Sequence, residues 1–189
     1  AERAAVQAIE LLCDLREAFE RCELDLVYQP KVNLDTEDIV GVEALLRWRH
    51  PQRGMLSPQD FLPLVRRHDL LDEVNELVIN RALDDMGRWR SAGIRLPVAV
   101  NFFAPSLTDP ELPDHIERLV ASRGLRPSDL TIEITEDLFP EQQSAMREVL
   151  HRLQDKGIRV GSVDFGSGYS ALSLLCELPV DEVKLAGNL

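Results

Sequence analysis

A chain of 189 residues with 44% hydrophobic content is long enough for one well-buried domain and short for two. Its formal charge of −12 argues against a nucleic-acid polymer as partner, because affinity for phosphate backbones rests on lysine and arginine; a single anionic diester held through a divalent metal by clustered carboxylates stays open. No apolar run approaches the roughly 20 residues that cross a bilayer and no signal segment opens the chain, so no membrane partner and a cytoplasmic location are expected, with Cys13, Cys22 and Cys176 as free thiols.

The chain opens with an amphipathic helix over residues 5–22, with Val6, Ile9, Cys13 and Phe19 along one side. Residues 1–22 are expected to pack on the domain or to lead in from an upstream domain, and residues 23–189 form the domain itself. Residues 26–32 alternate as a strand, Asp35 to Asp38 make a polar turn, and residues 39–48 form a second strand, giving a hairpin. Ser57-Pro58-Gln59-Asp60 then combines an N-cap, a proline at the first helical position and an acid three residues after the cap. Helical spacing continues to Trp89 with a break near Asp69, and Gly93 suits the stop.

Three repeats of one plan follow. A strand over 96–102 precedes a helix opened by Asp109-Pro110 and ended by Gly124; a strand over 130–135 precedes a helix over 141–157; a strand over 158–165 precedes a helix over 171–178, and residues 183–186 begin one more strand. Strands alternating with helices imply βαβ units and a parallel sheet, open or closed into a barrel. His50, His68, His115 and His151 share no spacing and are expected at the surface. Gly166-Ser167-Gly168 lacks the third glycine and the acid of a dinucleotide fingerprint.

Against this apolar background stands a row of polar residues, Glu43, Asn101, Glu133 and Asp164, each expected at the C-terminal end of a strand. Strand alternation puts Glu133 on the face opposite Ile132 and Ile134, Asn101 with Ala99, and Glu43 with Gly41 and Leu45, all toward the interior of a barrel. The C-terminal ends of barrel strands are where such folds place their chemistry, and a buried carboxylate needs metal or hydrogen bonds to satisfy it.

These residues fall in six ordered motifs: Tyr28-Gln29-Pro30, residues 41–48 (Gly-Val-Glu-Ala-Leu-Leu-Arg-Trp), Val100-Asn101, Glu133-Ile134-Thr135-Glu136, residues 164–170 (Asp-Phe-Gly-Ser-Gly-Tyr-Ser) and residues 179–184 (Pro-Val-Asp-Glu-Val-Lys). Together they resemble the EAL domain family of cyclic di-GMP phosphodiesterases, from about Leu15 onward. The resemblance implies an α/β fold, a modified TIM-like (β/α) barrel, and hydrolysis of cyclic di-GMP to linear pGpG with two Mg²⁺ or Mn²⁺ ions. It also implies roles: Glu43, Asn101 and Glu133 as metal ligands, Asp164 in the acidic pair that completes the metal sites, Lys184 orienting water or substrate, Gln29 and Arg47 contacting substrate, and Glu136 steadying the loop after Asp164.

The departures are as specific. Val163 stands where the family carries the first acid of Asp-Asp-Phe-Gly, Ala186 where it carries the acid of Lys-Ile-Asp, and Arg66 where it carries a glutamate; the family's last two strands would fall beyond Leu189. The sequence therefore suggests an incomplete barrel of about six strands with a degenerate site, in which metal is weakly bound or absent. Three readings follow: a domain that binds cyclic di-GMP or a protein partner without hydrolysis, an active phosphodiesterase, or an interaction domain with no nucleotide. A homodimer covering the open sheet edge, and an upstream sensor or GGDEF domain, are the expected partners.

Overall fold

The structure is a computed structural model, and it describes residues 2–134, 143–165 and 178–185. The elements run α1 (Glu2–Glu20), β1 (Leu24–Val32), β2 (Ile39–His50), β3 (Gly54–Leu56), α2 (Pro58–Arg67), α3 (Leu71–Ser91), β4 (Val98–Phe102), α4 (Leu112–Ser122), β5 (Leu130–Ile134), α5 (Gln143–Asp155), β6 (Arg159–Phe165) and β7 (Glu182–Leu185), with short 3₁₀ turns at Ala104–Thr108 and Pro127–Asp129. The six expected strands form. The short β3, which pairs antiparallel with the end of β2, is additional; three residues carry no legible period. The helix expected over 171–178 falls largely outside the described residues, as do Glu136, Cys176 and Ala186.

All described strands belong to one sheet of order β1-β2-β4-β5-β6-β7, with β3 attached to β2. β1 is antiparallel to β2, while β2, β4, β5, β6 and β7 run parallel, as strand–helix repeats require. The sheet is strongly curved. Laid flat, its six-strand path would separate β1 from β7 by about 24 Å at about 4.8 Å per strand, more than a lysine and a glutamate can bridge end to end. Yet Lys31 Nζ of β1 lies 2.8 Å from Glu182 Oε1 of β7. This is the α/β, TIM-like organisation expected, with an antiparallel first strand.

Strand alternation divides the apolar residues as predicted. Val98, Val100 and Phe102 of β4 and Ile132 and Ile134 of β5 are buried beneath the helices with Ile79, Leu83 and Ile116, leaving Ala99, Asn101, Thr131 and Glu133 on the concave face. Trp48 and Phe61 meet edge-to-face at 5.6 Å where α2 covers β2. Two helix signals act as read. The Asp60 carboxylate accepts from both the Ser57 backbone N–H (2.8 Å) and its hydroxyl (2.9 Å), and Gly93 adopts φ 80° just past α3, a conformation a side chain disfavours. The break near Asp69 is real: residues 68–70 separate α2 from α3, with Asp69 at φ 54°.

Two expectations are corrected. The helix α1 packs on the core through Leu11, Leu15 and Ala18, and of the expected stripe only Phe19 is seen packed against it; Ile9 is 63% exposed and Cys13 is exposed, while the side chain of Val6 lies outside the described residues. The leucine stripe has the same helical period and more apolar area to bury. His50 is buried rather than at the surface. It shares the helix-facing side of β2 with Leu46 and Trp48, and both ring nitrogens are satisfied: Nδ1 accepts backbone N–H bonds from Gln52 (3.1 Å) and Arg53 (3.3 Å), which leaves Nε2 to donate to Asp14 on α1 at 3.1 Å.

Candidate functional site

The polar row converges on the concave face of the sheet, and register explains why. Asn101 of β4 pairs with Glu133 of β5, and Glu133 pairs with Gly161 of β6. Gly161 leaves room for the glutamate: a Cβ there would sit 3.3 Å from Glu133 Cγ. Glu43 departs from the expected placement. It lies in the first half of β2 rather than at its C-terminal end, within the Val42–Ala44 stretch that pairs with β4, beyond which β2 continues with β1 and β3. The Asn101 amide closes the gap, donating from Nδ2 to Glu43 Oε1 at 2.9 Å.

Lys184 enters from β7. That strand is fixed beside β6 by a reciprocal clasp, in which Asp181 Oδ2 accepts from the Val160 N–H at 2.8 Å and the Asp181 N–H donates to the Val160 carbonyl at 2.7 Å. From there the Lys184 ammonium lies 2.7 Å from Glu43 Oε2 and also donates to Glu133 Oε2. Sequence reasoning did not foresee the second lysine. Lys31 Nζ is 3.0 Å from Glu133 Oε1 and 2.8 Å from Glu182 Oε1. Lys31 stands two residues after Gln29 and so shares its face of β1; that alternation was the available signal.

The cluster is thus three carboxylates, two ammonium groups and one amide, with the Glu133 side chain only 1% exposed. Burial is the largest influence on Glu133 and keeps its proton affinity raised, Lys184 offsetting it only in part and the Glu43 charge adding to it. Burial also pushes Glu43 upward, but hydrogen bonds from Lys184 and Asn101 outweigh it and hold that carboxyl below the usual range. Lys31 moves upward, because its bonds to Glu182 and Glu133 outweigh its own desolvation.

The remaining expected residues fall as follows. Gln29 lies opposite Glu43 in the β1–β2 register and is exposed. Arg47 shares the Glu43 face of β2, half-buried, with Nη1 donating to the Leu46 carbonyl at 2.8 Å. Val163 and Asp164 lie on β6, at the irregularity in β6–β7 pairing between Ser162 and Phe165; their side chains are outside the described set.

Two carboxylates that share the Lys184 ammonium, with the Asn101 amide bonded to one of them, form an oxygen-rich donor set that fits one hard divalent ion. Among the described residues, no group of three His, Cys, Asp or Glu side chains gathers to hold a metal. Nor is any helix of the described residues long and apolar enough to cross a membrane.

The EAL domain model matches residues 12–189. MucR of Pseudomonas aeruginosa, a bifunctional diguanylate cyclase/cyclic di-GMP phosphodiesterase, is 38% identical over 182 residues, which cover 96% of this chain and 27% of MucR. The solved PaMucR phosphodiesterase in complex with c-di-GMP aligns at TM-score 0.85 and 38% identity, over 93% of this chain and 72% of that one. The EAL domain of FimX from Xanthomonas citri, in complex with c-diGMP, aligns at TM-score 0.83 and 28% identity, over 97% and 72% of the two chains. The chain spans less than a third of the length of the curated relatives it matches. With that match, these alignments and the concave-face cluster, the chain belongs to the EAL domain family of cyclic di-GMP signalling.

Proposed function

We propose that the domain binds cyclic di-GMP at the Glu43–Asn101–Glu133–Lys184 cluster and hydrolyses it poorly or not at all. The observation that carries this reading is the residue at 163: a valine, with no lone pair to offer, precedes Asp164 where the family's chemistry calls for a metal-binding acid. Ala186 removes a second acid by the same comparison. Gln29 and Arg47 are retained to meet the ligand, Arg47 with a planar guanidinium suited to a phosphate or a guanine edge. Lys184 orients the phosphodiester, Asp164 is the surviving acid of its pair, and Glu136 steadies the loop after it.

A single weakly held Mg²⁺ or Mn²⁺ at Glu43, Asn101 and Glu133 fits the donor set, and when bound it would supply electrostatic stabilisation of charge on the phosphodiester. The chain's own groups do the rest. Lys184 compensates Glu43 and Glu133, Asn101 fixes the Glu43 carboxylate, and the buried wall of the sheet excludes water behind Glu133.

An active phosphodiesterase is the second reading, favoured by the intact Glu43, Asn101, Glu133 and Lys184 set and by relatives named as phosphodiesterases. Calorimetric titration with cyclic di-GMP, with and without Mg²⁺, tests the binding half. We expect saturable one-site binding that persists without metal and is lost in Arg47→Ala; no heat of binding under either condition would leave only the interaction-domain reading.

A further inference from the structure

Both oxygens of Glu133 are already committed to ammonium groups. Oε2 accepts from Lys184, the lysine that belongs to the family's motif, and Oε1 accepts from Lys31 at 3.0 Å. The carboxylate is 1% exposed, so no solvent competes for it. Lys31 is held in place from its other side by Glu182 at 2.8 Å, across the opening between the first and last strands of the sheet. Its own side chain is 23% exposed, which leaves its charge poorly screened.

We infer that Lys31 is a resident competitor of the divalent cation: its ammonium, pinned between Glu133 and Glu182, occupies the carboxylate oxygen a metal would need and positions Glu133 for a metal-free site. The inference rests on the proposed metal position at Glu43, Asn101 and Glu133. A cation entering there must displace Lys31 from Glu133 or accept a like charge beside it, and both oppose metal binding. Glu182 sharpens the effect by holding the lysine in place rather than letting it swing to solvent. The ion-pair geometry, and not only the missing acid at 163, thereby sets how weakly the site takes up metal.

The test is Mn²⁺ affinity, read by calorimetry and by electron paramagnetic resonance of free Mn²⁺, on the whole 189-residue chain. Lys31→Met removes the charge and keeps the stem, and should bind Mn²⁺ about tenfold tighter or more, as expected for lifting one near like charge. Lys31→Arg keeps the charge and should return the affinity to that of the parent. Lys31→Gln, a milder neutral change, serves if the methionine variant does not fold. Neutral variants no tighter than the parent would overturn the inference. If Glu133→Gln abolishes Mn²⁺ binding in that case, the metal position survives and only the role of Lys31 falls. Absence of Mn²⁺ binding in parent and neutral variants alike would overturn both.

Discussion

Glu133 carries the electrostatic burden of this fold. A carboxylate with a 1% exposed side chain is tolerated because ammonium groups meet both of its oxygens. Removing one partner leaves charge uncompensated in a dry place. Lys184→Met should therefore lower the unfolding free energy by about 3 kcal/mol in urea titrations, and adding Glu133→Gln should recover part of that loss. Strict additivity of the two changes would mean that the pair is not coupled. Tyr28 makes a second residue-scale prediction. Its hydroxyl donates to Asp85 Oδ2 at 2.5 Å and its ring meets Trp89 edge-on at 4.7 Å, and burial pushes its pKa from 10.0 to about 12. The neutral phenol is the form the fold prefers, so its stabilisation is complete below pH 10 and disappears as pH rises through about 12. Lys31, also raised, acts with the same sign over its own alkaline window. Stability measured across that range should fall less steeply in Tyr28→Phe than in the parent; equal slopes would show that Tyr28 is not the group responsible.

At the scale of elements, local signals decide the ends and packing decides the faces. The Asp60 carboxylate caps α2 through two bonds to Ser57. Asp60→Ala should cost about 1 kcal/mol without altering ligand binding, measurable as a shift in the urea midpoint at constant slope, and a change below a few tenths would remove the cap from the account. The strands of the βα repeats, the hairpin, the α2 start, the Asp69 break and the Gly93 stop were legible because each has a chemical marker in its own few residues. What was not legible depended on neighbours distant in sequence. The buried stripe of α1 was legible only in part, because neighbouring apolar positions share one period and only the packed core selects Leu11, Leu15 and Ala18 over Ile9 and Cys13. His50 is buried because β2 extends past Trp48 and Asp14 arrives from α1. Glu43 lies in the first half of its strand because β2 pairs with β4 over Val42–Ala44 and then continues with β1 and β3.

For the molecule as a whole, curvature turns separate strands into one site. Glu43, Asn101, Glu133 and Lys184 come from four strands; the first three were legible because polar residues in apolar runs stand out, and Lys184 only through the family motif that carries it, whereas Lys31 and Glu182 were not, because their partnership spans the two ends of the sheet path and exists only once the sheet curls. The same whole-site view limits repair. Val163→Asp restores one acid while Ala186 still stands where another is expected, so that single change should not produce turnover, and a clear gain would show that one ligand was the whole deficit. A nucleotide-binding site with impaired hydrolysis has a simple signature when the protein is incubated with cyclic di-GMP in saturating Mn²⁺ and nucleotides are resolved by chromatography, with bound nucleotide measured in the same samples. Protein-bound cyclic di-GMP should be recovered intact; steady accumulation of pGpG at about 1 s⁻¹ or faster, an ordinary enzymatic rate, would mean that the site is an active phosphodiesterase.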